Sequence, residues 1–184
     1  MFVPLFVSIP VSVAGAVLAT DFVSGTEDTW TAPGRFPLLD RYIIRDNIEH
    51  HRTPGSIRGG SYWVTNGVCI VLALCAAAIA ALAGVHIWQV YLVIALASQS
   101  NQVHKWAHMA NPPRVVAWFQ RIGLLQSTKH HARHHARPYA SRYCSFTNYL
   151  NPLLDGIHFW RGLEFVIVRC GGTVQRATPA RGGY

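Results

Sequence analysis

An all-α fold embedded in a membrane is predicted by three features of the sequence. From Gly59 through Val103 no Asp, Glu, Lys or Arg occurs, 45 positions in a row. A hydrocarbon core of about 30 Å takes about 20 apolar residues per helix, so this run holds two spans and a turn. Met1 to Thr20 is equally free of charge. Histidines then recur beside these apolar stretches at i,i+4, the spacing that places two side chains on one helix face. A chain of 184 residues forms one domain, here a single membrane unit over 1–184 whose Gly-rich, basic end from 171 to 184 is expected to be mobile.

Composition agrees. Hydrophobic residues make up 51% and charged ones 13%, and the mean hydropathy of +0.20 exceeds that of most soluble domains. Sixteen Lys and Arg against eight Asp and Glu leave +8. Such a balance serves nucleic acid, anionic lipid or an acidic protein equally well. The long uncharged run decides for the membrane, with no nucleic-acid partner. Cys69, Cys75, Cys144 and Cys170 form no C-x-x-C pair, so neither a zinc ribbon nor a disulfide framework is indicated.

Met1 to Thr20 reads as a first membrane helix that is retained. Ala16 to Ala19 resembles a cleavage site, but no Lys or Arg supplies the n-region of a signal peptide. Pro4 and Pro10 are tolerated better in a membrane helix than in a soluble one. The polar segment 21–63 follows, with a helix expected from Asp40, a candidate N-cap, to His51. Thr53-Pro54-Gly55 ends it as a turn. On such a helix His50 and His51 point about 100° apart, so one site takes both only if it lies between their directions.

Gly67 to Val85 is the second span, and Ile87 to Val103 returns as the third. The far half of that return is polar, with Ser98, Gln99, Ser100, Asn101 and Gln102. Such groups are costly in a bilayer unless they face a cavity or partner. Asn101, His104 and His108 share one helical face. Pro112-Pro113 stops the helix, and 114–125 reads as an amphipathic helix in the headgroup region. Next, His130 pairs with His134 and His131 with His135. Pro138 closes that segment, and 156–169 reads as a second interfacial helix.

Charge also orients the chain. The loop between the two central spans has no Lys or Arg, whereas segment 21–63 has five and everything from His104 onward has eleven. The positive-inside rule puts both basic segments, and all three histidine clusters, on the cytoplasmic face.

Eight of the ten histidines fall in these clusters: His50, His51, His104, His108, His130, His131, His134 and His135. His86 and His158 stand apart as ordinary interfacial residues. Eight imidazoles exceed one tetrahedral zinc and suit two metals with open positions for a small molecule such as dioxygen. With almost no acid beyond Glu49, the donor set favours iron or zinc over magnesium or calcium. A zinc hydrolase or metal carrier, and a bis-histidine haem protein, compete with that reading.

The motifs Asp21-Phe22-Val23-Ser24-Gly25, Asp28-Thr29-Trp30, Glu49-His50-His51, Thr65-Asn66, Asn101-Gln102-Val103-His104-Lys105-Trp106-Ala107-His108, the tetrad His130 to His135 and Tyr143-Cys144 resemble the lipid desaturase family. The likeness runs from about Asp21 to Glu164. That family includes the plasmanylethanolamine desaturases and a plant chloroplast desaturase of phosphatidylglycerol palmitoyl chains. The resemblance implies two iron ions, O2 as co-substrate and dehydrogenation of a membrane lipid chain. The favoured substrate is a plasmanylethanolamine, converted to the vinyl ether of a plasmalogen. An acyl-chain desaturase, or a catalytically silent relative binding lipid or a regulator, are the alternatives.

Two departures stand out. The family's first motif carries a His-Trp segment between the Ser-Gly and the Asp-Thr-Trp, where this chain has only Thr26-Glu27. Either Glu27 or Asp28 substitutes as a ligand, or the metal count is reduced, or the chain is inactive. Pro138-Tyr139 replaces the Pro-His of the plasmanyl branch and looks more like the plant branch. No G-x-G-x-x-G and no redox C-x-x-C occurs, so electrons come from an external donor. A basic face suits an acidic one, such as a ferredoxin or a cytochrome b5-type protein.

Overall fold

Apolar helices pack in series, and polar loops and short helices gather at one end of them. The computed structural model describes residues 5–27, 41, 44–136, 141–172 and 174. Asp28, Asp40, Pro138-Tyr139 and the tail beyond 174 lie outside the described residues. Among the described residues the regular structure is helical, with no strand.

Helix α1 spans Leu5–Glu27 with Pro10 inside it. It continues past Thr20, where the first span was expected to stop. Its polar residues close their own hydrogen bonds: Thr20 Oγ1 donates to Ala16 O (2.9 Å), Ser24 Oγ to Asp21 O (2.8 Å) and Thr26 Oγ1 to Val23 O (2.7 Å). Back-bonded hydroxyls let a helix carry Ser and Thr through apolar surroundings.

Helix α2, Arg45–Arg52, is preceded by π-helical Arg41 and Ile44, the predicted start at Asp40 lying outside the described residues, and leads through a turn at Pro54-Gly55 into a 3-10 turn, Ser56–Gly59. Helix α3, Tyr62–Leu82, starts on Ser61, whose hydroxyl accepts from Val64 N. Val71, Leu74, Ile79 and Leu82 of α3 are all exposed. A helix apolar on every face and bare of protein has hydrocarbon as its natural solvent. Ser8–Thr26 and Tyr62–Leu82 are both long and apolar enough to cross a membrane.

The expected third span is broken. Helix α4, Trp88–Ala97, gives way at Ser98-Gln99 to α5, Ser100–Ala107. Ten residues rise only about 15 Å, half the hydrocarbon core. The polar far half is spent on α3: Asn66 Nδ2 donates to Gln102 Oε1 (3.2 Å), Asn101 Nδ2 to Thr65 O (3.1 Å) and Tyr62 Oη to Gln99 Oε1 (2.8 Å). Helix α1 lies against α4, while α3 lies against both α4 and α5. Where α1 meets α4, Ser12, Gly15, Ala16, Gln89, Val90 and Val93 line an open, largely apolar groove of about 340 Å³.

The polar end is built from α6 (Arg114–Arg121), α7 (Thr128–His134), α8 (Leu150–Gly156) and α9 (Phe159–Arg169). Helix α6 is amphipathic as predicted, with Val115 and Trp118 exposed and Val116 buried. The helix expected over 156–169 is present and starts at Phe159, while α8 before it was not predicted. His158, in the left-handed region at φ 53°, separates the two. Tyr143, Cys144, Leu154 and Trp160 form a core against which Leu150, Phe159 and Leu163 pack.

The loop from Ser141 to Tyr149 is fastened to α1 by one carboxylate. Asp21 Oδ1 accepts from Phe146 N and Thr147 N, both at 2.9 Å, and Oδ2 accepts from Thr147 Oγ1 at 2.6 Å. Asp21 is fully buried. Three donors replace the water that a carboxylate gives up on burial.

Candidate metal centre

Three short helices deliver the imidazoles. Helix α2 presents His50 and His51, α5 ends in His104 and His108, and α7 carries His131 and His134 with His135 as its C-cap. Helix α5 packs on α7, and Lys105 Nζ donates to Gly60 O, tying α5 to the 3-10 turn behind α2. Ser127 caps α7 by accepting from His130 N (3.2 Å), which sets the register of the residues that follow.

Seven of the eight predicted histidines converge. His50, His104, His108, His131 and His135 each bring one ring nitrogen within 4.8 Å of the others, and His51, His134 and His135 form a second such group. His135 belongs to both. Adjacent His50 and His51 diverge as their 100° offset requires, and each serves a different group. Asp28, the ninth candidate, lies outside the described residues.

His130 is not brought into either group. It precedes His131 on α7 and so points about 100° away from it. Its ring meets Arg142 instead, whose Nη1 lies 3.0 Å from Nδ1 and 3.2 Å from Nε2, and Asn151, whose Nδ2 lies 3.1 Å from Nε2.

The spacing within the groups fits a metal ion. The Nε2 atoms run from His50 to His108 (3.2 Å), on to His131 (2.7 Å) and on to His135 (3.0 Å). Two imidazoles bound at about 2.1 Å and at right angles place their nitrogens roughly 3.0 Å apart. In the second group His51 Nε2 and His134 Nε2 are 2.8 Å apart.

Protonation points the same way. His51 Nδ1 donates to Asn47 O (2.9 Å) and His134 Nδ1 to Ser141 O (3.2 Å). A carbonyl oxygen only accepts, so both Nδ1 atoms carry a proton, and in the neutral rings both Nε2 lone pairs face inward. Carbonyl partners of this kind fix the tautomer of metal-ligating histidines. Asn47 sits one helical turn before His51 and was readable in principle, whereas Ser141 reaches His134 only through the loop that Asp21 anchors.

Burial disfavours protonation of three of these rings. It is the main cause that holds His108 down at about 4 and His135 at about 2, with the charges of neighbouring imidazoles second. His131 is driven well below the usual 6.5 by burial, then by His104 and His134. Only the neutral ring offers a lone pair to a metal. The all-nitrogen donor set suits iron or zinc.

The lipid desaturase domain matches residues 16–178. The chain belongs to the lipid desaturase family. This family member is 34% identical over 175 residues to the plasmanylethanolamine desaturase of Myxococcus xanthus, covering 86% of this chain and 60% of that protein. It is 33% identical over 182 residues to plasmanylethanolamine desaturase 1 of Mus musculus, covering 90% and 66%. A probable fatty acid desaturase of Acanthamoeba polyphaga mimivirus is 35% identical over 83 residues, 44% of this chain and 41% of that protein. The chain spans about three fifths to two thirds of the length of the two plasmanylethanolamine desaturases. No solved structure matches it. Family membership and two helices long and apolar enough to cross a membrane together support a membrane protein.

Proposed function

We propose that this chain is an oxygen-dependent desaturase that turns the alkyl ether of a plasmanylethanolamine into a vinyl ether. The observation that carries the reading is the pair of histidine groups sharing His135. In this proposal His50, His104, His108 and His131 would hold one iron and His51 and His134 the second, with His135 available to either group. When bound, the irons supply the oxygen activation that an unactivated C–H bond demands. Two hydrogens leave the adjacent carbons next to the ether oxygen. Dioxygen becomes two waters, with two electrons from the external donor and two protons completing the balance.

The chain's own residues position and protect. The carbonyls of Asn47 and Ser141 hold two rings in their metal-binding tautomer. The α1–α4 groove offers apolar walls for the far end of a lipid chain. The active site sits on the cytoplasmic face, by the distribution of Lys and Arg, where an acidic ferredoxin or cytochrome b5-type donor would be steered to it. Purified protein that turns over with no acidic donor, but does so with a neutral or basic one, would remove that part of the proposal.

A second reading has its own support. The mimivirus relative is named a probable fatty acid desaturase, and Pro138-Tyr139 resembles the plant branch. Mass spectrometry of lipids from cells expressing the wild type or His131→Ala, before and after mild acid, separates the two. An acid-labile lipid two hydrogens lighter, absent in the variant, supports the vinyl ether. A lighter lipid that survives acid selects acyl desaturation. No difference, in cells supplying both lipids and a donor, selects a silent relative that lost the first-motif histidine.

A further inference from the structure

Arg142 combines two costs in one residue. Its backbone sits at φ 61°, in the left-handed region that a residue with a Cβ enters only at a steric penalty. Its guanidinium is a half-buried cation that no carboxylate approaches within ion-pair distance among the described residues. The fold enforces the strained backbone from both sides. Arg142 N–H donates to Asp155 Oδ1 (3.2 Å), and the following Cys144 is locked by reciprocal bonds to fully buried Asn151. Strain held this firmly at a polar site calls for a functional reason.

The guanidinium is aimed along His130. Nη1 contacts that ring at 3.0 Å, and the same ring receives the Asn151 amide. Exposed Lys129 and Arg133 stand on the same helix. Arg142 offers a planar fork of donors near these cations, the geometry that recognises a phosphate oxyanion, and its partner His130 is one residue from His131.

We propose that Arg142, positioned by His130 and Asn151, binds the phosphodiester of the lipid substrate and thereby sets which bond reaches the histidine groups. This rests on the desaturase reading and sharpens it. His130 immediately precedes His131 on α7, so a phosphate held at Arg142 anchors the headgroup end of the lipid beside the histidine groups and favours bonds near the glycerol over bonds in the middle of a long chain. His130 is thus a positioning residue, although it belongs to the tetrad.

The test uses the full chain, iron-loaded, in detergent micelles. Equilibrium binding is measured for a labelled alkyl-acyl-glycerophosphoethanolamine and for the matching alkyl-acyl-glycerol without phosphate. Wild type should prefer the phospholipid by about tenfold, Arg142→Gly should lose the preference, and Arg142→Lys should recover part of it. Because glycine adopts positive φ freely, Arg142→Gly should keep its metal and its melting temperature. Where turnover is seen, the Gly variant should raise KM more than it lowers kcat. A preference that survives Arg142→Gly overturns the proposal, as does its loss together with metal and fold. Inorganic phosphate competing as well as the phospholipid would overturn the lipid assignment. Binding is read without catalysis, so a wild type that discriminates by phosphate yet makes no vinyl ether removes the desaturase reading and leaves this one.

Discussion

His51 Nε2 and His134 Nε2 lie 2.8 Å apart, with both Nδ1 protons committed to the carbonyls of Asn47 and Ser141. Two lone pairs facing each other at that distance repel unless a proton or a metal cation lies between them. The metal content of single variants should therefore separate the groups. His131→Ala should empty the first group, His51→Ala or His134→Ala should cost one ion, and His130→Ala should keep both. Loss of a ligating or orienting group typically weakens metal binding by about 10–100-fold. Elemental analysis after gel filtration reads this directly, and full metal loss from His130→Ala would move that residue back into the cage.

The clusters were legible because i,i+4 spacing survives in any helix, whatever the fold around it. What spacing does not encode is rotation about the helix axis. His130 and His134 are as well spaced as His131 and His135, yet the capping of α7 by Ser127 turns only His130 outward, to Arg142. The extension of α1 was hidden for a related reason. Asp21 looks like the end of an apolar span until Thr147, 126 residues later in the chain, supplies its hydrogen bonds. The break at Ser98-Gln99 was announced only as polarity, since polar residues mark a helix facing a partner and a helix ending alike.

Asp21 should matter for stability out of proportion to its single charge. A hydrogen bond to a charged group contributes about 1.5–3 kcal/mol, and Asp21 accepts three. Asp21→Ala should cost at least about 3 kcal/mol and free the loop that carries Ser141, so metal should leave the second group first. Thr147→Val removes one donor and should cost about half as much. In denaturant titrations the double variant should be less harmed than the sum of the singles. Strict additivity would mean that the two side chains do not act as one unit.

Acid should unfold the metal-free protein early. His108 and His135 titrate at about 4 and about 2 when folded, against an ordinary 6.5. Between pH 6.5 and about 4 the unfolded chain therefore binds protons that the folded one refuses. The stability is present above 6.5 and lost as pH falls through that window. Chelated protein should melt at least about 5 °C lower at pH 5.0 than at pH 7.5. An unchanged melting temperature across that range would show that the imidazoles are not buried in the neutral form.

Two glycines of α1 should behave oppositely. A Cβ on Gly25 would lie 2.6 Å from Trp160 Cη2 and 3.1 Å from Cys144 N, whereas a Cβ on Gly15 meets nothing within 4 Å. Trp160 is nearly fully buried and has no room to retreat. Gly25→Ala should thus destabilise by about 1–3 kcal/mol, the cost of overpacking. Gly15→Ala should be neutral or stabilising by up to about 1 kcal/mol, because alanine is the better helix former. The groove gives Gly15→Leu a different signature. Its side chain would project into the space between α1 and α4, leaving the fold and the metal intact while penalising long lipid chains more than short ones. Competition between substrates of two chain lengths reads that selectivity. An unchanged ratio, with Gly15→Leu folded and metal-loaded, would mean that the chain runs elsewhere than along α1.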